Sequence, residues 1–302
     1  YFKELNIMFG ELFGLTTAWS WSISNIYTKQ LTYRLSPIRI VIAYALIYTL
    51  LALVVAVFMG RLGGIFKLPF DSLGYLTLGA ILVFAGNFTV FRAYSIGGGV
   101  GYTVTILTSV FILTTAIVGT IFLNESISVL QISGGVMIII GIFIAYITLS
   151  IRSFTLKTIS LNSLKGSAFI FAILTGFLWS LSLISWTQGL TGTDPITGAA
   201  ISGVIPNCFF ILVCIFNSNI RPFPVERRYA WKLFMGGLLY GVGLITAMAS
   251  LEWAGVGLTA ILISSTPVFS IPLGIWLLKE RHSKQGISGL ITAIIGIMIV
   301  VA

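Results

Sequence analysis

A stretch of thirty-nine residues occurs twice in this chain, and no other feature constrains the fold as tightly. Residues 106–144 read ILTSVFILTTAIVGTIFLNESISVLQISGGVMIIIGIFI, and residues 261–299 read ILISSTPVFSIPLGIWLLKERHSKQGISGLITAIIGIMI. At a constant offset of 155 the two copies share fifteen identities. Apolar residues coincide easily, so the polar and glycine matches carry the weight. These are Ser109/Ser264, Gly119/Gly274, Glu125/Glu280, Ser128/Ser283, Ser133/Ser288, Gly134/Gly289 and Gly141/Gly296. Each copy is a long apolar run, a Leu-x-Glu turn and a second apolar run opening on Ser-Gly. A repeat of this kind sets the architecture before any local reading.

The apolar runs have the length a bilayer demands, about 20 residues per helix. Ten stretches qualify: 7–28, 38–59, 73–93, 99–123, 128–150, 164–189, 195–217, 231–253, 256–278 and 286–302. With 57% hydrophobic and 8% charged residues, a chain of 302 residues could not bury its apolar surface in water; soluble domains carry about a quarter charged residues. The expected fold is an all-α integral membrane bundle of ten transmembrane helices. Short connections make neighbouring helices antiparallel. Cys208 and Cys214 share one apolar run and suggest small buried hydrophobes, not a disulfide framework. The one histidine, His282, lies in a charged turn. No metal-ligand cluster and no cofactor motif is read.

Earlier helices echo as well. Trp19-Ser20-x-Ser22 matches Trp179-Ser180-x-Ser182 at offset 160, and Ser36-Pro37-Ile38 matches Asp194-Pro195-Ile196 at offset 158. Residues 1–150 and 164–302 therefore read as two copies of a five-helix unit joined by residues 151–163. An odd number of spans inverts the second copy. Inverted repeats are the architecture of many secondary transporters, whose substrates bind near the membrane midplane between repeats.

These residues carry a resemblance. Two five-helix repeats, Trp-Ser in helices one and six, Pro37 and Arg39 opening helix two, and Leu-x-Glu after helices four and nine are similar to the EamA-type members of the drug/metabolite transporter superfamily. The resemblance covers essentially the whole chain and implies alternating access around a central cavity. Such families include exporters of aromatic and other amino acids, nucleotide-sugar and triose-phosphate antiporters, and choline importers. This chain departs from the choline type, which carries an acidic residue in helix six; Ser182 and Ser185 stand there. Every Lys and Arg falls near a helix end, so a phosphorylated substrate is not expected.

Charge gives an orientation. The loops on the side of the N-terminus hold three basic residues, Lys3, Arg61 and Lys67; the opposite side holds the other fourteen. Basic loops favour the cytoplasm. This places the 151–163 loop inside and both termini outside a plasma membrane, whereas the best-known relatives have cytoplasmic termini. The +9 net charge reads as topology, not as a nucleic-acid partner.

Polar and aromatic residues inside spans are the candidate substrate contacts, because polar groups in hydrocarbon usually face the bundle interior or a wet cavity. Helix one offers Trp19, Ser22 and Asn25, and helix three Asn87, Phe91 and Tyr94. Helix four gives Tyr102, Thr105 and Ser109, and helix six Trp179, Ser182 and Trp186. Tyr240 in helix eight and Ser264 in helix nine complete the set. Two plainer readings stand beside it: hydroxyls bonding back to their own helix and tryptophans in an interfacial belt. Glu11 is a candidate proton carrier; the plainer reading is a carboxylate favouring a helix N-terminus. Pro267 and Pro272 replace Ile112 and Ile117 of the first copy. They predict a more kinked ninth helix, either a hinge or gate or a static bend. The recurring span glycines read as close-packing positions.

Two function classes follow. The first is a secondary transporter, acting as monomer or homodimer, for a small neutral, zwitterionic or cationic metabolite. An amino-acid exporter is favoured, a quaternary-amine carrier is the alternative, and protons are a candidate coupling ion. The second is a membrane enzyme or lipid-handling protein, which needs a catalytic cluster at the interface that the sequence does not offer.

Overall fold

A computed structural model describes residues 2–123, 129–151, 164–217, 220–221, 225–280 and 284–301. Ten helices are found among them: α1 (Phe2–Leu31), α2 (Pro37–Phe58), α3 (Phe70–Ser95), α4 (Val100–Leu123), α5 (Val129–Ile151), α6 (Leu164–Gly189), α7 (Pro195–Phe216), α8 (Arg227–Ser264), α9 (Thr266–Leu278) and α10 (Lys284–Val301). A 3-10 turn over Leu62–Lys67 lies between α2 and α3. The described residues contain no strand, as the all-α reading requires. Six helical stretches among them are long and apolar enough to cross a membrane. The Leu-x-Glu and loop positions Glu125, 152–163 and His282 lie outside the described residues.

The punctuation in the sequence acts where helices turn. Pro37 and Pro195 open α2 and α7, positions where the missing N–H would have no intrahelical acceptor. Asp194 caps α7: its Oδ1 accepts from the amides of Ile196 (3.2 Å) and Thr197 (3.1 Å). The eighth and ninth spans meet where the sequence separates 231–253 from 256–278. The helix runs as one element to Ser264 but breaks at Gly255, with φ 79° and ψ 175°, a conformation essentially reserved for glycine. The chain folds back there. Ser250 and Thr259 hydroxyls meet at 2.9 Å, whereas nine residues of straight helix would span roughly 13 Å. The ninth span is thus residues 256–264 followed by α9, with a second break at Ser265. Pro267 sits in the first turn of α9 and Pro272 inside it.

Helices of one repeat pack chiefly against helices of the other. The most extensive pairs are α1 with α8, α5 with α10 and α3 with α6. Under the repeat relation α1 corresponds to α6 and α8 to α3, so the first and last of these pairs are the same contact made twice. Glycines allow both. A side chain at Gly243 would strike the Trp21 indole, and one at Gly86 would strike that of Trp179. Gly141 abuts Ala293 and Gly289, and Gly296 abuts Ile138 and Gly134, closing α5 on α10 through the repeated Ser-Gly segments.

The Leu-x-Glu motif acquires a physical role in the second copy. Lys279 takes the left-handed conformation (φ 54°) that ends α9. Glu280 then accepts from the amides of Val100 (2.6 Å) and Gly101 (3.2 Å) at the start of α4. A carboxylate on unpaired N-terminal amides is favoured by both hydrogen bonding and the helix dipole. Gly274 leaves room for it, since a Cβ there would lie 2.9 Å from Glu280 Oε2. The residue that follows α9 in the second repeat therefore anchors a helix of the first.

Candidate functional site

Where α1, α3, α6 and α8 converge, a small cavity of about 10 Å³ is lined by Trp21, Ser24, Asn25, Asn87, Phe91, Trp179 and Tyr240. That is room for about one water molecule, so in this conformation the site is closed around itself. Its walls are aromatic. Trp21 stacks near Tyr240 (centroids 6.4 Å, 17°) and packs 5.4 Å from Trp179. Tyr44 lies 5.9 Å from Tyr240 and 5.6 Å from Phe91, and Tyr48 meets Tyr240 edge-on. No charged side chain among the described residues lines it.

Polar atoms punctuate this box. Asn87 Nδ2 donates to the Tyr240 hydroxyl, while Asn87 Oδ1 and Trp179 Nε1 are buried with no partner among the described residues. Trp21 Nε1 donates to the Tyr240 carbonyl (3.3 Å), and Ser24 donates to Gly236 O (2.8 Å). The Thr28 and Tyr44 hydroxyls meet at 3.1 Å, and Tyr48 donates to Ala199 O.

Of the sequence candidates, the structure brings Asn25, Asn87, Phe91, Trp179 and Tyr240 together at the cavity. Trp19 is corrected: it is 50% exposed on the outside of the bundle. Each residue turns about 100° around a helix, so Trp19 stands about 120° away from Asn25, and the spacing of three that linked them drifts off one face. Trp21, Asn25 and Thr28, spaced i, i+4, i+7, are the true inner stripe. Ser22 is buried at the α1–α9 contact, 2.7 Å from Ala18 O and 3.1 Å from Thr266 O. Thr105, Ser109 and Ser264 donate to their own helices, at Gly101 O, Thr105 O and Ala260 O, the back-bonding reading. Ser182 donates to Gly79 O (2.7 Å) and Trp186 presses on Gly79, so both join α6 to α3.

The remaining candidates lie elsewhere. Tyr94 is buried one stripe beyond Phe91; its carbonyl accepts from Lys29 Nζ at 2.8 Å, and its hydroxyl has no partner among the described residues. Lys29 is itself buried, in the last turn of α1. Tyr102 is partly exposed near the start of α4, and Glu11 is exposed on α1, away from the cavity. Sequence reasoning missed Trp21, Ser24, Tyr44 and Tyr48. The signal was present for the α1 pair, in the stripe through Asn25. Tyr44 and Tyr48 are spaced i, i+4 in a helix whose other polar side chains are Arg39 and Thr49. A separate crevice of about 540 Å³ between α2, α3 and α7 is lined by Ile38, Val41, Phe84, Phe88, Phe209 and other apolar residues; it offers no hydrogen-bonding side chain.

Inverted five-helix repeats meeting at a central polar-aromatic site have the architecture of a membrane transporter. Comparison with known proteins gives the family. The model of the EamA-like transporter family matches residues 8–147 and again 166–302, and the chain belongs to that family. It is 24% identical over 127 residues to an uncharacterized transporter of Archaeoglobus fulgidus, a match covering 42% of this chain and 45% of that protein. The chain thus aligns with under half the length of this relative. A solved crystal structure superposes with a TM-score of 0.66 at 13% identity, covering 96% of this chain and 95% of the other, a likeness of fold.

Proposed function

We propose that this protein is a secondary transporter for a small neutral, zwitterionic or cationic metabolite, with amino-acid export the favoured reading. The observation that carries it is the uncharged aromatic cavity at the meeting of both repeats. Aromatic faces hold apolar bodies and cations alike, and the absence of lining charge disfavours a phosphorylated or strongly anionic solute. Alternating access suits a site walled by both repeats. Because α1 packs on α8 and α3 on α6, the bodies that move against each other are mixed bundles, each with helices of both repeats. The interruption at Ser265 ahead of Pro267, with Pro272 beyond, is the proposed hinge. In a plasma membrane the charge asymmetry puts the 151–163 loop in the cytoplasm.

The test is a thermal-shift panel on detergent-purified protein with amino acids, quaternary amines, nucleosides and sugars. A ligand at a hundredfold its Kd stabilises by about 2.7 kcal/mol. Stabilisation by apolar or aromatic amino acids is the expected result. Stabilisation by nucleosides or sugars alone would contradict it, and by quaternary amines alone would move the assignment to the cation carrier.

A further inference from the structure

Most buried hydroxyls in the bundle are satisfied locally. Thr28, Thr105, Thr108, Ser109, Thr115 and Ser264 each donate to a carbonyl one turn back. The cavity's two carboxamides are different. Asn25 is 7% exposed and Asn87 2% exposed; among the described residues the Asn25 side chain makes no hydrogen bond and Asn87 Oδ1 has no partner. An unmade hydrogen bond on a buried polar atom is costly. Asn87 Oδ1 on α3 is such an atom, and the Asn25 carboxamide on α1 lines the same cavity. Polar capacity held open in this way is a ligand's complement.

The chemistry of an amide narrows what that ligand is. Each carboxamide offers two N–H donors and an acceptor oxygen with no net charge. Resting on the transporter reading above, we infer that Asn25 and Asn87 grip the head group of a zwitterionic α-amino acid. The carboxylate takes Nδ2–H groups and the ammonium donates to Oδ1, while Trp21 and Trp179 clasp the side chain. Cancellation of charge within the solute matters, because no lining residue supplies a counter-ion and a lone buried charge is costly. A quaternary ammonium has no N–H to give. It would gain only ring contacts and leave both amides unpaired, so the site discriminates against it despite its aromatic walls.

The experiment is titration calorimetry of the full chain in detergent with L-phenylalanine, phenethylamine, L-phenylalanine methyl ester and a quaternary benzyl amine. Wild-type protein is expected to bind L-phenylalanine at least tenfold tighter than the other three. Asn25→Leu and Asn87→Leu should each weaken it tenfold or more. Asn87→Asp should reverse the order of L-phenylalanine and phenethylamine, since a carboxylate repels one head group and pairs with the other. Asn→Leu variants that bind normally would show that the two amides hold only a structural water and overturn the inference. So would an Asp variant with an unchanged order, or folded wild-type protein that binds none of the probes. Flux of quaternary amines into proteoliposomes checks the transporter reading separately; positive flux with no amino-acid binding would sink this inference and leave that reading standing.

Discussion

Trp19 and Trp21 are separated by one residue, yet they face opposite environments. Trp19 is half exposed on the outer surface, and Trp21 is 7% exposed against Tyr240 and Trp179. The Trp-Ser echo at offset 160 pointed to Trp19 as counterpart of Trp179, but Trp21-Ser22-x-Ser24 matches the same motif at offset 158, the offset of Pro37 and Pro195. Two residues of slip turn a helix by about 200°. Packing supplies the rotation: Trp21 sits on Gly243 as Trp179 sits on Gly86. Trp19→Ala should leave ligand affinity within about twofold of wild type, whereas Trp21→Ala should weaken it about tenfold or more, as loss of a buried aromatic anchor does. Calorimetry on variants that elute as monodisperse protein checks this. Equal losses in both would restore the face through Trp19. The hydroxyls were legible only as residue types, since a back-bond and a ligand contact demand the same serine.

Among elements, two punctuation marks carry more than their length suggests. The Leu-x-Glu turn read from the repeat is in fact a tertiary cap, Glu280 on α4. Its meaning was illegible because the partner amides are about 180 residues away in sequence. Glu280→Ala should cost about 1–2 kcal/mol, read as a lowered melting temperature in detergent, with Glu280→Gln costing less. An unchanged melting temperature in both variants would show that the cap contributes nothing. At the hairpin between the eighth and ninth spans, Gly255 has φ 79° and ψ 175°. Gly255→Ala should destabilise by about 1–3 kcal/mol; Gly257→Ala, where an added Cβ meets open space, is the matched control. The sequence placed this boundary correctly at Ala254-Gly255 but could not show that helical residues continue on both sides of one strained glycine.

At the scale of the molecule, the repeat decided most of the fold in advance. Ten helices, inverted halves and short connections all follow from where the polar residues interrupt the apolar runs. What the repeat hid was how far the halves interpenetrate, with α1 on α8, α3 on α6 and α5 on α10. An offset relates equivalent residues but is silent about which copy each one touches. Orientation belongs to this scale too. In a variant lacking Cys208 and Cys214, a cysteine placed at Ser153 should be shielded from an impermeant thiol reagent in intact cells and labelled after permeabilisation. Labelling without permeabilisation would reverse the charge-based assignment of the 151–163 loop.

The central claim is that solute crosses through the aromatic site shared by the two repeats. Counterflow in proteoliposomes loaded with unlabelled L-phenylalanine, comparing wild type with Trp179→Ala, tests it most directly. The account predicts accumulation of labelled amino acid by wild type and its loss in a variant that reconstitutes equally well. Equal accumulation in both would contradict it, because transport would then not pass the site that Trp179 walls.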